Sequence, residues 1–132
     1  AGVVMSPWTD LEATGAAYET HAALDPIHQR AMILAIARSY LGTDGNARDP
    51  RASPLHGDLA GLPPLLIQCG ERETVLDDSR EFAKRALAAG VEAQLEVYEG
   101  MIHVFQMFAA ELEPAQHAIT SAGAFLDRAF RR

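Results

Sequence analysis

Near the end of the chain the run EGMIHVF presents one histidine, His103, in a glycine turn directly after a strand-like segment. An imidazole displayed in this way suits a general base. Thirty residues earlier lies Glu73, in the acidic loop GERETVLDD, which also carries Glu71, Asp77 and Asp78. One helix and one strand separate the loop from the histidine, so two consecutive strands of a parallel sheet would bring both to the same rim. Ligands and catalysis in open α/β sheets lie at that rim, beyond the carboxyl ends of the strands. A carboxylate that orients an imidazole and steadies its protonated form is the back half of a nucleophile-base-acid triad, in the chain order Ser, Asp or Glu, His.

The elements that must position these groups alternate along the chain. Gly2 to Met5 reads as a short apolar strand, and Ser6 to Asp25 as a polar loop with one helical turn at most. DPIHQRAMILAIARSYLG predicts a helix with Asp25 as N-cap, Pro26 at the first helical position and Gly42 as the stop. Its apolar residues Ile27, Met32, Ile33, Ile36, Ala37 and Tyr40 fall near helical spacing. Thr43 to Pro64, rich in Gly, Pro, Asp and Asn, is expected to be a long surface loop. LLIQC is a continuous apolar run of the kind that forms a central parallel strand. DDSREFAKRALAAG predicts a helix capped by Asp77 or Asp78, ended by Gly90 and buried along Phe82, Ala83, Ala86 and Leu87. VEAQLEVYEG alternates Val91, Ala93, Leu95 and Val97 on one face, as in a strand near a sheet edge. EPAQHAITSAGAFLDRAFRR predicts a last helix, with Pro114 early and Arg131 and Arg132 at its C-terminus. The order predicts an α/β fold, a mostly parallel sheet flanked by helices.

Composition narrows the function classes. The chain has 132 residues, enough for one compact α/β domain or part of a larger one, and a formal net charge of −7. Its eleven Lys and Arg are scattered apart from the terminal pair, which argues against nucleic-acid binding. No apolar run reaches the about eighteen residues that suggest a membrane-spanning helix. Cys69 has no cysteine partner for a disulfide or a zinc site, which fits a reducing, cytoplasmic compartment. His21, His28, His56 and His117 show no metal-binding spacing, and no cofactor is expected.

Three stretches, SPWTDL, SPLHGDLAGLPPLLIQCGERETVLDDSREFAKRALAAGV and YEGMIHVF, together resemble the C-terminal part of the hormone-sensitive-lipase family (family IV) of α/β-hydrolase carboxylesterases. The likeness covers nearly the whole chain. Gly100, Met101, His103 and Phe105 stand in the places of the family's G-M-x-H-x-F pattern, so the resemblance implies that His103 is the general base. It places the acid in the Gly70 to Asp77 loop, with Glu where the family most often has Asp. Glu73 is the preferred acid over Asp77, since Asp77 and Asp78 fit as helix caps. The family's H-G-G-G and G-x-S-x-G motifs do not occur in the sequence; Ser6, Ser39, Ser53, Ser79 and Ser121 all lack the flanking glycines.

Residues 1–132 are therefore expected to be the C-terminal part of a single catalytic domain whose nucleophile elbow lies upstream. The isolated chain would be inactive, and the first strand and LLIQC would present uncovered apolar faces. The resemblance further implies ester or lactone substrates and a homodimer through the Val91 to Glu99 strand. A non-enzymatic ligand-binding protein on the same fold is the alternative, against which the presence of His103 speaks.

Overall fold

The computed structural model describes residues 1–131; Arg132, assigned above to a helix end, lies outside them. Three strands, β1 (Gly2–Met5), β2 (Leu65–Gly70) and β3 (Ala93–Tyr98), form a parallel sheet in the order β1-β2-β3. The register pairs Met5 with Gln68 and Gly70 with Tyr98, so all three strands end near one rim.

Every residue of β2 is buried, as its unbroken apolar run requires of a strand covered on both faces. Alternation along β2 divides those faces. Leu65 and Ile67 pack against Phe82, Ala83 and Ala86 of helix α3 (Leu76–Ala88). Leu66 packs against Ala122 and Phe125 of helix α4 (Glu113–Phe130), with Val3 and Met5 beside it. The expectation that LLIQC would be uncovered is thus corrected, because α3 and α4 close both of its faces. Leu87 is also corrected: it is 56% exposed, on the solvent side of α3.

Gly90 ends α3 at φ 80°, a left-handed conformation that a residue with a Cβ adopts only under strain. Pro114 lies in the first turn of α4, where its missing N–H leaves no helical bond unmade. Helix α1 (Ala17–Thr20) is the single turn expected in the first loop.

Helix α2 (Arg30–Leu41) ends at Gly42 as predicted but begins after Asp25. Gln29, in extended conformation, precedes its first turn. Asp25 instead folds its own loop, its Oδ1 accepting from Ile27 N at 2.9 Å and His28 N at 3.0 Å. Only Ile33 and Ala37 of α2 are buried, Ile33 against Ala13, Tyr18 and Val75, while Met32, Ile36 and Tyr40 face outward. A two-residue stripe suffices to seat the helix, so periodicity overstated its buried face. Within the Thr43 to Pro64 loop, Ser53, Leu55 and Leu59 are buried around a 3-10 turn at Pro54–His56, so this segment is more packed than its composition suggests.

Candidate active site

The ends of the three strands deliver Ser6, the Gly70-Glu73 turn and the Met101-Val104 turn to one place. Backbone bonds fix the acidic turn to the histidine turn: Glu71 N donates to Tyr98 O at 2.9 Å and Arg72 N to Met101 O at 3.0 Å. This close approach requires Gly70, because a Cβ there would clash with the Met101 carbonyl and lie 2.8 Å from Ile102 O.

His103 Nδ1 lies 3.1 Å from Glu73 Oε2, with the glutamate fully buried and the histidine 7% exposed. A carboxylate only accepts, so Nδ1 carries the proton and Nε2 is left as the basic nitrogen. The other carboxylate oxygen, Oε1, accepts from Ser6 Oγ at 2.7 Å and from Gly70 N. Burying a charge demands such partners, and Glu73 has three donors on its two oxygens.

The other three acids of the loop go elsewhere. Glu71 accepts from Gly100 N at 2.9 Å. Asp77 accepts from Ala17 N at 2.9 Å and lies 3.7 Å from Arg80. Asp78 Oδ2 accepts from Thr9 N at 2.8 Å and Asp10 N at 2.9 Å, while its Oδ1 receives the Tyr18 hydroxyl at 3.0 Å. Burial drives the Asp78 pKa up to about 6 against these hydrogen bonds. The capping expectation for Asp77 and Asp78 is corrected here: Val75 takes the cap position without a side-chain bond, and both carboxylates lie in the first turn, bonded to the 9–18 segment. Their long-range donors outcompete the local N–H groups.

Two neighbours of His103 escaped the sequence reading. The His28 ring stacks on His103 with centroids 3.7 Å apart and planes tilted by 31°. Burial, and then the neighbouring His103, lower the His28 pKa below its ordinary value, which keeps that ring neutral beneath the other. Its Nδ1 is buried without a partner among the described residues. Asp25 anchors this ring's loop by accepting from Thr74 N at 2.9 Å, one residue beyond Glu73. Ser6 is the second neighbour. Its only signal was its place, a polar residue at the carboxyl end of a parallel strand.

Away from this rim, ligand atoms of Asp10, Glu12 and His56 lie within 4.8 Å of one another. The Asp10 oxygens are already taken by Glu12 N, Thr14 N and the Thr14 hydroxyl, so this cluster reads as a loop fastening. No helix among the described residues is long and apolar enough to cross a membrane.

A parallel sheet between two helical layers, with a buried carboxylate-histidine pair at its carboxyl rim, defines the α/β-hydrolase class. A family model described as alpha/beta hydrolase fold matches residues 1–107, and the chain belongs to that family. An acetyl-hydrolase of Streptomyces hygroscopicus is 44% identical over 96% of this chain and 42% of its own length. An esterase of Acinetobacter venetianus is 37% identical over 93% of this chain and 41% of its own. The crystal structure of an esterase from the bacterial hormone-sensitive lipase family superposes with a TM-score of 0.94 at 49% identity, covering 97% of this chain and 43% of that one. The chain thus spans about two fifths of the length of these relatives, and the motif resemblance to hormone-sensitive-lipase-type esterases is borne out.

Proposed function

We propose that this chain supplies the acid and the base of a carboxylic ester hydrolase, with Glu73 and His103 in those roles. The observation that carries the reading is the buried Glu73-His103 pair, 3.1 Å apart, at the carboxyl rim of the parallel sheet. Similarity to an acetyl-hydrolase and to esterases supports the reaction class.

The mechanism follows from the pair. Glu73 holds the ring with Nδ1–H turned inward, so Nε2 takes the proton of a serine hydroxyl as that oxygen attacks the ester carbonyl. The imidazolium that forms lies against a carboxylate, which lowers the cost of its charge in a buried place. Nε2 then returns the proton to the leaving alcohol, and water repeats the cycle on the acyl-enzyme.

The nucleophile is assigned to a serine outside this sequence, within the same catalytic domain. Ser6 does not fit that role, because its proton goes to Glu73. Short or medium-chain esters or lactones are the proposed substrates. A homodimer through Val91 to Glu99 is supported by the outer position of β3 among the three strands. The buried, unpaired Cys69 is consistent with a cytoplasmic location.

The test is hydrolysis of p-nitrophenyl butyrate by the full-length protein. His103→Ala should lower kcat/KM by about 10³-fold or more, and Glu73→Gln by a similar order. Full-length protein that hydrolyses no p-nitrophenyl ester from acetate to octanoate would point to ligand binding instead.

A further inference from the structure

We propose that Ser6 is a positioning residue for the acid-base pair, a third member that fixes both Glu73 and the turn carrying His103. The proposal rests on the reading of those two residues as acid and base.

One hydroxyl makes both links. Ser6 Oγ donates to Glu73 Oε1 at 2.7 Å and accepts from Val104 N, the residue after His103, at 2.9 Å. The backbone N–H of Val104 has only its proton to give, so the hydroxyl proton is committed to Glu73. Glu73 thereby has its oxygens divided, Oε1 toward Ser6 and Gly70 N, Oε2 toward His103. A glutamate has one more side-chain torsion than an aspartate, and without a hold on Oε1 its Oε2 would swing away from Nδ1. Fixing one oxygen aims the other.

The backbone supports the same role. Ser6 is 4% exposed and adopts φ 48°, and Val104 adopts φ 47°, both in the left-handed region that residues with a Cβ disfavour. Ser6 N also donates to Gln68 O at 2.7 Å, which continues the strand pairing to the point where the side chain turns toward Glu73. Two strained residues on either side of one hydroxyl, at the meeting point of three strand ends, mark a place where geometry takes precedence over local comfort.

The experiment compares Ser6→Ala and Ser6→Gly in the full-length protein, with p-nitrophenyl butyrate as substrate. Glycine removes the hydroxyl but accepts φ 48°, so it separates the hydrogen bonds from backbone strain. Both variants should lose about 10- to 100-fold in kcat with KM changed by less than about threefold, since misplacement of a catalytic group acts on the transition state. In the Glu73→Gln background, Ser6→Ala should cost clearly less than it does in the wild type, because the part of its effect that passes through the acid is already lost while the link to Val104 N remains to be broken. The downfield Nδ1 proton resonance of His103 should broaden or move upfield in both single variants.

Full kcat in both Ser6 variants with an unchanged His103 proton signal would overturn the proposal. Multiplicative losses in the double variant would do the same, as would failure of both variants to yield folded protein, which would make the role purely structural. Retained activity in His103→Ala or Glu73→Gln would instead sink the acid-base reading on which the proposal rests, a result these controls report separately.

Discussion

Glu73 and Asp78 come from one acidic loop, five residues apart, and both are buried, with 0% and 2% of their surfaces exposed. Each reaches back to the segment that follows β1, Glu73 to Ser6 and Asp78 to Thr9 and Asp10. Their partners differ in kind. Asp78 faces two backbone N–H groups and a phenol, donors with no basic role near neutral pH, so its work is to hold a loop. Glu73 faces the imidazole of His103, so under the function proposed above the same chemical group belongs to a proton-transfer pair. Burial of a carboxylate therefore does not by itself mark chemistry; the titratable partner does.

Three substitutions sharpen that contrast. Gly70→Ala should have the largest effect, because the added Cβ meets the backbone of Met101 and Ile102 and pushes the histidine turn off the acidic turn. A loss of about 10²-fold in kcat is expected from displacement on the ångström scale, with a stability loss of about 1–3 kcal/mol from overpacking. Steady-state kinetics and urea unfolding of the full-length protein check both, and unchanged kcat would break the view that this close approach sets the pair.

Asp78→Ala comes next, on stability alone. It leaves Thr9 N, Asp10 N and the Tyr18 hydroxyl without their acceptor. A loss of about 2–4 kcal/mol in unfolding free energy is expected, while kcat of the folded protein stays within about threefold. A kcat loss as large as that of Glu73→Gln would erase the distinction between the two carboxylates.

The smallest effect is a change of slope in Asp78→Asn. Burial raises the Asp78 pKa from 3.8 to about 6, so the folded state binds this proton more tightly than the unfolded chain does. The stability contribution of Asp78 is thus full below about pH 4 and is lost as pH rises through 6, a change of about 2–3 kcal/mol at 1.36 kcal/mol per unit. Asparagine can keep its oxygen on Thr9 N and Asp10 N and turn its amide toward the Tyr18 oxygen. The variant should therefore gain on the wild type between pH 4 and pH 7, as measured by urea unfolding at each pH; a constant difference across that range would refute the raised pKa.

Much of this molecule was legible beforehand because its signals are local. LLIQC reads as a central parallel strand, and Gly42 and Gly90 as helix stops, for reasons contained in a few adjacent residues, although the covering of both strand faces by α3 and α4 was not legible there. The pairing of Glu73 with His103 was legible too, from spacing and motif together. Asp77 and Asp78 misled for the opposite reason: each looked like a helix cap locally, yet its carboxylate found donors 60 to 69 positions away, while Asp25 kept local donors but the helix began later. Ser6 was passed over since nothing in SPW announces that a neighbour lies 67 residues downstream.

The sequence by itself determined the kind and order of the elements and placed an acidic loop and a histidine after consecutive strands, because helix stops, strand runs and spacing are short-range properties. Only the tertiary structure decided which of the four loop carboxylates meets the imidazole and that Ser6 joins them. Those choices depend on the parallel register of β1, β2 and β3 and on the missing Cβ at Gly70, which bring atoms far apart along the chain within hydrogen-bond distance.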